Sequence, residues 1–219
     1  MKLSGDMTQM KTSLIWKRLI IQDKKIVTSD EIKDLANELG KDGERSLYYL
    51  QEEGYITRLL RGIFYIKSIQ EREQNTYDKS IYELVALSLE KKGVANWYFG
   101  LETALKMNNM THEYFTIDYV LTDSYRTTKV IKIMDTRFQF LKRSKIYFKE
   151  GQIKKNLLRY SNPEKTVLDL AYQRYLSSKN PNLFLLPIRE YSGKIDFEKV
   201  KDFLSMYPKS FQKNMEDVL

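Results

Sequence analysis

The sequence of 219 residues contains no cysteine, only one histidine and only four prolines. The absence of cysteine excludes a disulfide framework, a thiolate nucleophile and cysteine-based zinc or iron–sulfur sites. The single histidine, His112, cannot build a multi-histidine metal site, and it limits histidine-based acid–base catalysis to one position. We therefore predict no metal centre.

Long apolar runs are also missing, and the dense apolar stretch at 183–186 is far too short to cross a membrane. Residues 1–6 contain no apolar segment of the kind that a secretion signal requires. These two absences predict a cytoplasmic protein with no membrane partner. The 42% hydrophobic and 30% charged residues are typical of a folded chain with one or two domains.

Acidic residues are scarce in one segment of this basic chain, which has 37 Lys and Arg against 29 Asp and Glu. Residues 125–160 carry eleven basic and two acidic side chains, whereas the rest of the chain is close to neutral. Such a segment favours an anionic partner, either nucleic acid or an acidic protein, although a merely solvated strand face would also accept these charges. The candidate residues of this basic segment are Arg126, Lys129, Lys132, Arg137, Lys142, Arg143 and Lys145.

The N-terminal part of the chain shows three helical patterns followed by a hairpin pattern. Thr28 and Glu31 have the spacing of a capping box, which predicts a helix that ends at Gly40. A helix before it, at 13–22, a helix after it, at 44–53, and a β-hairpin at 55–66 complete the set. This order predicts a winged helix-turn-helix domain over residues 8–67.

The third predicted helix and the hairpin carry the side chains expected to contact DNA. With Leu47 and Leu50 directed inward, the opposite face of the helix can enter the major groove, and the hairpin can reach phosphates or the minor groove. The predicted contacts are Lys41, Arg45, Ser46, Tyr48, Tyr49, Arg58 and Arg61. Three acidic neighbours, Glu44, Glu52 and Glu53, oppose phosphate, and a winged helix that binds protein remains an alternative.

The remaining chain predicts a polar connection at 68–78 and a larger domain at 79–219. The fold class is α+β, with a small, mostly antiparallel sheet flanked by helices. Helices are expected at 79–92, 97–107, 163–176 and after Asp196, strands at 115–121, 129–134, 137–141 and 145–149, and irregular chain at 181–193. Trp97, Tyr98 and Phe99 are expected in the core, and Asp169 is expected to have a structural role.

Three stretches of the sequence give a resemblance to a known family: Gly54-Tyr-Ile-Thr-Arg-Leu-Leu-Arg-Gly-Ile-Phe-Tyr65, Asn96-Trp-Tyr-Phe-Gly-Leu-Glu-Thr-Ala-Leu105 and Tyr160-Ser-Asn-Pro-Glu-Lys-Thr-Val-Leu-Asp-Leu170. Over about residues 10–180 the chain resembles the AbiEi-type antitoxins of type IV, or abortive infection, toxin–antitoxin systems. The third stretch is similar to the family's Pro-Glu-Lys-Thr helix start. The segment after Pro181 has no counterpart in this pattern.

The resemblance implies a two-domain antitoxin without enzymatic activity. Its winged helix would bind the promoter of its own operon and repress it. Its C-terminal domain would counteract a toxin that resembles a nucleotidyltransferase, either directly or through the toxin's nucleic-acid target.

Two alternatives stay open from the residues alone. A stand-alone transcription factor would use the larger domain to sense a ligand or partner. A metal-dependent nuclease would need clustered carboxylates with a nearby lysine. Its candidates are Glu102, Glu113, Asp118, Asp135 and Lys132, although their spacing is not that of a nuclease motif. No glycine-rich phosphate loop is present, so we predict no nucleotide cofactor.

Overall fold

A computed structural model of the chain describes residues 13–216, so the predicted domain start at residue 8 and the prediction about a secretion signal at 1–6 lie outside it. The chain divides into two compact units, residues 1–93 and 94–219. The fold is α+β, as predicted: one unit contains a three-stranded sheet and the other a six-stranded sheet.

The first unit has the order helix, strand, helix, helix, strand, strand, followed by two more helices. Its antiparallel sheet has the strand order β1-β3-β2. The short strand β1, which the sequence analysis missed, pairs with β3. The elements are α1 (13–21), β1 (Ile26–Thr28), α2 (Ser29–Glu38), α3 (Gly43–Glu52), β2 (Ile56–Leu60), β3 (Ile63–Ile66), α4 (Ile69–Gln74) and α5 (Ile81–Lys91).

The turn between α2 and α3 is determined by small residues. The predicted capping box at Thr28 and Glu31 is present at the start of α2. Ala36 is fully buried on α2, and Gly40 ends the turn of that helix at φ +66°. Gly43, the first residue of α3, packs closely against α2, where an added Cβ would lie 2.8 Å from the Cβ of Lys33. Only glycine therefore fits this crossing without a shift.

The boundary between the two units does not lie in the segment at 68–78, which was predicted to connect the two domains. Ser68 and Glu71 form a capping box for α4, and Glu71 is fully buried, where it accepts hydrogen bonds from Tyr65 Oη at 2.6 Å and Asp78 N at 2.8 Å. The next helix, α5, was expected in the second domain but packs on strands β1, β2 and β3. The first unit therefore continues to Gly93.

The second unit is built on a six-stranded mixed sheet with the order β6-β7-β5-β4-β9-β8. Three of its five strand pairings are antiparallel, whereas β4–β9 and β5–β7 are parallel. The strands are β4 (Trp97–Gly100), β5 (Asp118–Thr122), β6 (Ile131–Ile133), β7 (Thr136–Lys142), β8 (Gln152–Lys155) and β9 (Leu158–Ser161). The helices are α6 (Leu101–Met107), α7 (Pro163–Ser177), α8 (Pro181–Phe184), α9 (Leu186–Glu190), α10 (Phe197–Leu204) and α11 (Lys209–Glu216).

Three sequence predictions for this unit were wrong. The predicted helix at 97–107 is strand β4 followed by α6, because Trp97–Gly100 is buried on both faces of the central sheet and so has no period-two pattern. The predicted strand at 145–149 is a 3₁₀ helix, Lys145–Phe148. The predicted irregular chain at 181–193 forms the short helices α8 and α9 and a 3₁₀ turn.

Helix α7 lies at the centre of the second core. Asn162 caps it, and Pro163 occupies its first turn, as predicted. Asp169 is buried and accepts hydrogen bonds from Tyr98 Oη at 2.9 Å and Tyr207 Oη at 2.7 Å, so its hydrogen-bond partners are side chains distant in sequence. Trp97, Tyr98 and Phe99 are buried as predicted.

Candidate nucleic-acid interface

The outer face of α3 is formed by Arg45 and Tyr48, which are both exposed. Asp42 caps the helix and accepts a hydrogen bond from Arg45 N at 2.7 Å, which fixes the first turn. The Arg45 side chain makes no ion pair within residues 13–216. Lys41 lies in the turn before the helix, where its backbone N–H donates to Ala36 O at 2.9 Å.

Of the predicted α3 contacts, Ser46 is buried and Tyr49 is half-buried. Ser46 is only 4% exposed because it lies one turn before the fully buried Leu50, on the same side of the helix. Of the two residues predicted to face inward, Leu50 is fully buried, whereas Leu47 is only half-buried. Tyr49 is half-buried, with its ring centroid 6.2 Å from that of Tyr55, and burial raises the pKa of its hydroxyl. Ser46 is therefore removed from the candidate contacts.

The hairpin of β2 and β3 presents two exposed arginines. Arg58 lies in β2, and Arg61 forms the two-residue turn with Gly62, whose φ is +75°. Ser29 N donates to Gly62 O at 3.0 Å, which ties the turn to the start of α2. No ion pair of the described chain involves either arginine. Both guanidinium groups can therefore meet an anion without breaking an existing pair.

A groove of about 550 Å³ lies between α3 and the hairpin, and Arg58 and Arg61 line it. Sequence reasoning missed two further cations of this groove, Lys33 on α2 and Lys92 after α5. Lys33 Nζ lies 2.5 Å from Glu44 Oε1, and this hydrogen bond raises the pKa of the lysine. Pairing with Lys33 offsets the acidic charge of Glu44 that was expected to repel phosphate.

The basic segment of the second unit is distributed over three places. Arg126 and Lys129 are exposed in the loop after β5. Lys132 on the edge strand β6 is the cross-strand partner of Arg137, so these two cations share one face. The other three line a cleft after β7: Lys142, Arg143 and Lys145. Lys142 is five residues from Arg137 on β7, so these two side chains point to opposite faces of the sheet.

The nuclease candidates lie in different surroundings. Glu102 is half-buried, and its burial raises the pKa of the carboxyl. Asp118 accepts hydrogen bonds from Lys106 Nζ at 2.5 Å and from Thr103 Oγ1 at 3.1 Å. Asp135 is exposed and lies 3.5 Å from Lys132 Nζ. In the part of the chain that the structure describes, no three metal-ligating side chains come together.

Comparisons with known proteins give one structural neighbour to report. No family model and no curated protein matches the chain. The chain is similar in fold to the RV2827C protein from Mycobacterium tuberculosis, with a TM-score of 0.54 and 13% sequence identity over 92% of this chain and 73% of that chain. This likeness supports the fold alone. Between residues 13 and 216, no helix combines the length and apolar character that a bilayer crossing requires.

Proposed function

We propose that the protein is a DNA-binding transcriptional regulator whose first unit is a winged helix-turn-helix. The order helix, strand, helix, helix, hairpin supports this assignment, with α3 as the recognition helix and β2–β3 as the wing. The observation that carries the proposal is the groove between α3 and the hairpin, with exposed Arg58 and Arg61 on one wall and exposed Arg45 on the adjoining helix.

The charges of this groove suit a duplex better than an apolar protein surface. Arginines in a wing reach phosphates or the minor groove, and an arginine on a recognition helix can form two hydrogen bonds with guanine. The exposed large side chain of α3 is Tyr48, which is 65% exposed and amphipathic. An alternative role as a protein-binding module would require acidic side chains on the partner to pair with the two wing arginines.

We further propose that the regulator acts as an antitoxin that represses its own operon and counteracts a nucleotidyltransferase-like toxin. The support for this part is the resemblance of the Pro163–Asp169 stretch and its companions to the AbiEi pattern. Co-expression with the product of an adjacent nucleotidyltransferase-like gene tests it. Restored growth supports the antitoxin, whereas unchanged toxicity leaves a stand-alone regulator.

Binding to the DNA upstream of its own gene tests the regulator directly. Footprinting with the full chain should protect a discrete site within that region, and the Arg58→Ala/Arg61→Ala double variant should lose the protection at equal protein concentration. Protection that is unchanged by the double variant would contradict the proposed interface.

A further inference from the structure

A cleft of about 700 Å³ in the second unit lies outside the proposed DNA interface. It is formed where the parallel strands β5 and β7 end: Asp123 follows β5, and Lys142 is the last residue of β7. Arg143 N donates to Thr122 O at 2.8 Å, which holds the two strand ends together. Crevices at the carboxyl ends of parallel strands are the usual position of ligand sites in open sheets, and this volume suits a small ligand.

One lip of the cleft is strongly basic. Lys142, Arg143 and Lys145 occur within four residues, and Asp123 is the one carboxylate among the lining residues that the structure describes. Arg143 is held in place by a hydrogen bond to Gln173 Oε1, and its guanidinium lies 5.9 Å from the ring centroid of Tyr172. A cation that is already oriented loses little conformational freedom when it binds an anion.

Three tyrosine rings form a second part of the cleft lining, the tyrosine wall. These are Tyr147, Tyr172 and Tyr207, with ring centroids of Tyr147 and Tyr207 separated by 5.0 Å and those of Tyr172 and Tyr207 by 5.5 Å. The hydrogen bond that Tyr207 Oη donates to Asp169 Oδ1 fixes the orientation of the Tyr207 ring. Tyr147 and Tyr207 are only 5% and 3% exposed, so the half-buried Tyr172 is the ring that can stack on a planar ligand.

A buried lysine lies behind the same rings. Lys165 is fully buried, and its Nζ lies 5.7 Å from the ring centroid of Tyr147 and 5.4 Å from that of Tyr207. This Nζ has no hydrogen-bond partner and lies 3.8 Å from Asp169 Oδ1. Burial lowers the pKa of this lysine, and the neighbouring Asp169 carboxylate offsets its charge, so Lys165 is a structural part of the wall.

Asp123 supplies the remaining polar feature. Its Oδ2 accepts a hydrogen bond from Asn96 Nδ2 at 2.7 Å, whereas its Oδ1 is buried and has no partner. Oδ1 is closed to solvent, but a carboxylate oxygen accepts more than one hydrogen bond, so a ligand hydroxyl or amino group in the cleft can share Oδ2 with Asn96. Carboxylates hydrogen-bond ribose hydroxyls in this way in nucleotide sites.

We propose that this cleft binds a ribonucleotide, with its phosphate on Lys142, Arg143 and Lys145, its base against the tyrosine wall and a hydroxyl or amino group on Asp123. The ribonucleotide can be free or part of a single RNA strand, since both offer the same phosphate, sugar and base. This ligand is held by side chains, so it needs no glycine-rich loop. An acidic peptide would satisfy the lysines but not the Asp123 carboxylate or the rings.

Calorimetric titration of the full chain tests the proposal. The probes are the four ribonucleoside 5′-monophosphates, their deoxy counterparts, inorganic phosphate, an RNA decamer and an acidic octapeptide. At least one ribonucleotide should bind more tightly than its deoxy form and than phosphate. Arg143→Gln and Lys145→Gln should each weaken that binding about tenfold, the loss expected for one charge-assisted hydrogen bond. Tighter binding of the decamer would identify the strand as the source, and equal or weaker binding would identify the free nucleotide.

Lys132→Gln and Arg137→Gln provide the matched controls, because they remove the same charges from the sheet edge outside the cleft. Both control variants should leave nucleotide binding unchanged. Lys145 is exposed, so Lys145→Gln still tests the cleft if Arg143→Gln unfolds the protein. No ribonucleotide binding at about 1 mM, an equal loss in the controls, equal binding of phosphate, or binding of the peptide alone would overturn the proposal. Arg58→Ala should not affect this titration, so the result is independent of the DNA-binding proposal.

Discussion

Arg58 and Arg61 are the residues on which the DNA-binding proposal makes its clearest prediction. Each is exposed and without an ion pair among residues 13–216, so each can displace a counterion from a phosphate. Arg58→Ala and Arg61→Ala should each weaken binding to every duplex sequence and lower the slope of log affinity against log salt by about one. Fluorescence anisotropy over a salt series measures both effects.

Arg18→Ala is the matched control for the wing arginines. Arg18 is also an exposed arginine of the first unit, but it pairs with Glu38 at 3.4 Å and lies outside the groove. Its removal should leave the salt slope unchanged. Equal slopes for the parent protein and the two wing variants would mean that these arginines do not contact phosphate.

Arg45 and Ser46 are neighbours in sequence but differ in exposure. If Arg45 pairs with a guanine, Arg45→Ala should lose about 1–3 kcal/mol at one base position and relax specificity there. Ser46→Ala should leave DNA affinity unchanged, because the hydroxyl is buried on the core side of α3. Affinities measured for operator variants with single base changes distinguish the two. A loss for Arg45→Ala that is equal on random and operator DNA would remove it as a base contact.

The helical period predicts which side of α3 faces outward only to within one residue. Leu47 and Leu50 are three apart and were both expected inward, but the helix is rotated so that Leu50 and Ser46 share the buried side. A serine on the buried side of a helix gives no hydrophobic signal, so the burial of Ser46 could not be predicted from its residue type. Arg45, Tyr48, Arg58 and Arg61 were placed correctly on the exposed surface.

At the scale of elements, the start of α2 is held by the carboxylate of Glu31. This side chain accepts hydrogen bonds from Thr28 N at 2.7 Å, Lys24 Nζ at 3.2 Å and Lys91 Nζ at 3.0 Å, so it joins α2 to α5. Burial opposes the charged form, but these hydrogen bonds, with that from Lys91 the strongest, outweigh it and lower the pKa of Glu31 to about 2.

The lowered pKa of Glu31 predicts a pH dependence of stability. Since its ordinary pKa of 4.5 applies to the unfolded chain, its contribution is complete above pH 4.5 and is lost as the pH falls to about 2. With allowance for solvent screening we expect a contribution of about 2 kcal/mol. Urea unfolding measures the free energy of unfolding at pH 7 and at pH 3. Glu31→Gln keeps the capping geometry, and it should remove the part of the difference between these two free energies that comes from the carboxylate.

Glu38→Gln is the control for Glu31→Gln. Glu38 is an acid at the other end of the same helix, and both it and its partner Arg18 are more than half exposed. Its replacement should change the unfolding free energy little at either pH. A pH profile of Glu31→Gln that matches the parent profile would show that the carboxylate does not hold the start of α2.

Elements with a capping signal or an amphipathic period could be predicted, and fully buried ones could not. The starts of α2 and α7 follow from Thr28–Glu31 and Asn162–Pro163, which act locally. Strand β4 is apolar on both sides, and a short apolar run does not distinguish a strand from a buried helix. The strands β8 and β9 were missed because they contain few apolar residues, Ile153 in β8 and Leu158 and Tyr160 in β9.

At the scale of the whole molecule, the boundary of the first unit has a direct consequence for truncation. Helix α5 supplies the buried Leu84, Val85 and Leu89 and the Lys91 partner of Glu31. A fragment of residues 1–93 should therefore unfold cooperatively on heating, whereas 1–78 should have a much lower Tm or none. Circular dichroism melts of both fragments measure this. A 1–78 fragment as stable as 1–93 would restore the boundary predicted from sequence.

The segment at 68–78 shows why a polar composition alone led to a wrong prediction of the connection between the two units. Residues 67–78 are charged, but Ser68–Glu71 and Ser80–Glu83 both have capping-box spacing, which marks two helix starts. The burial of Glu71 depends on Tyr65, a contact within the folded unit that local sequence does not reveal. Similarly, the cleft after β7 depends on Tyr172 and Tyr207, which are distant in sequence from the basic segment.

The most direct measurement is the affinity of the full chain for a duplex from the region upstream of its own gene, compared with a random duplex of equal length. Anisotropy titrations at several salt concentrations should show tighter binding to the upstream duplex and a steep loss of affinity for both as salt rises. Failure to bind either duplex, or binding to both with equal affinity, would contradict a sequence-specific regulator.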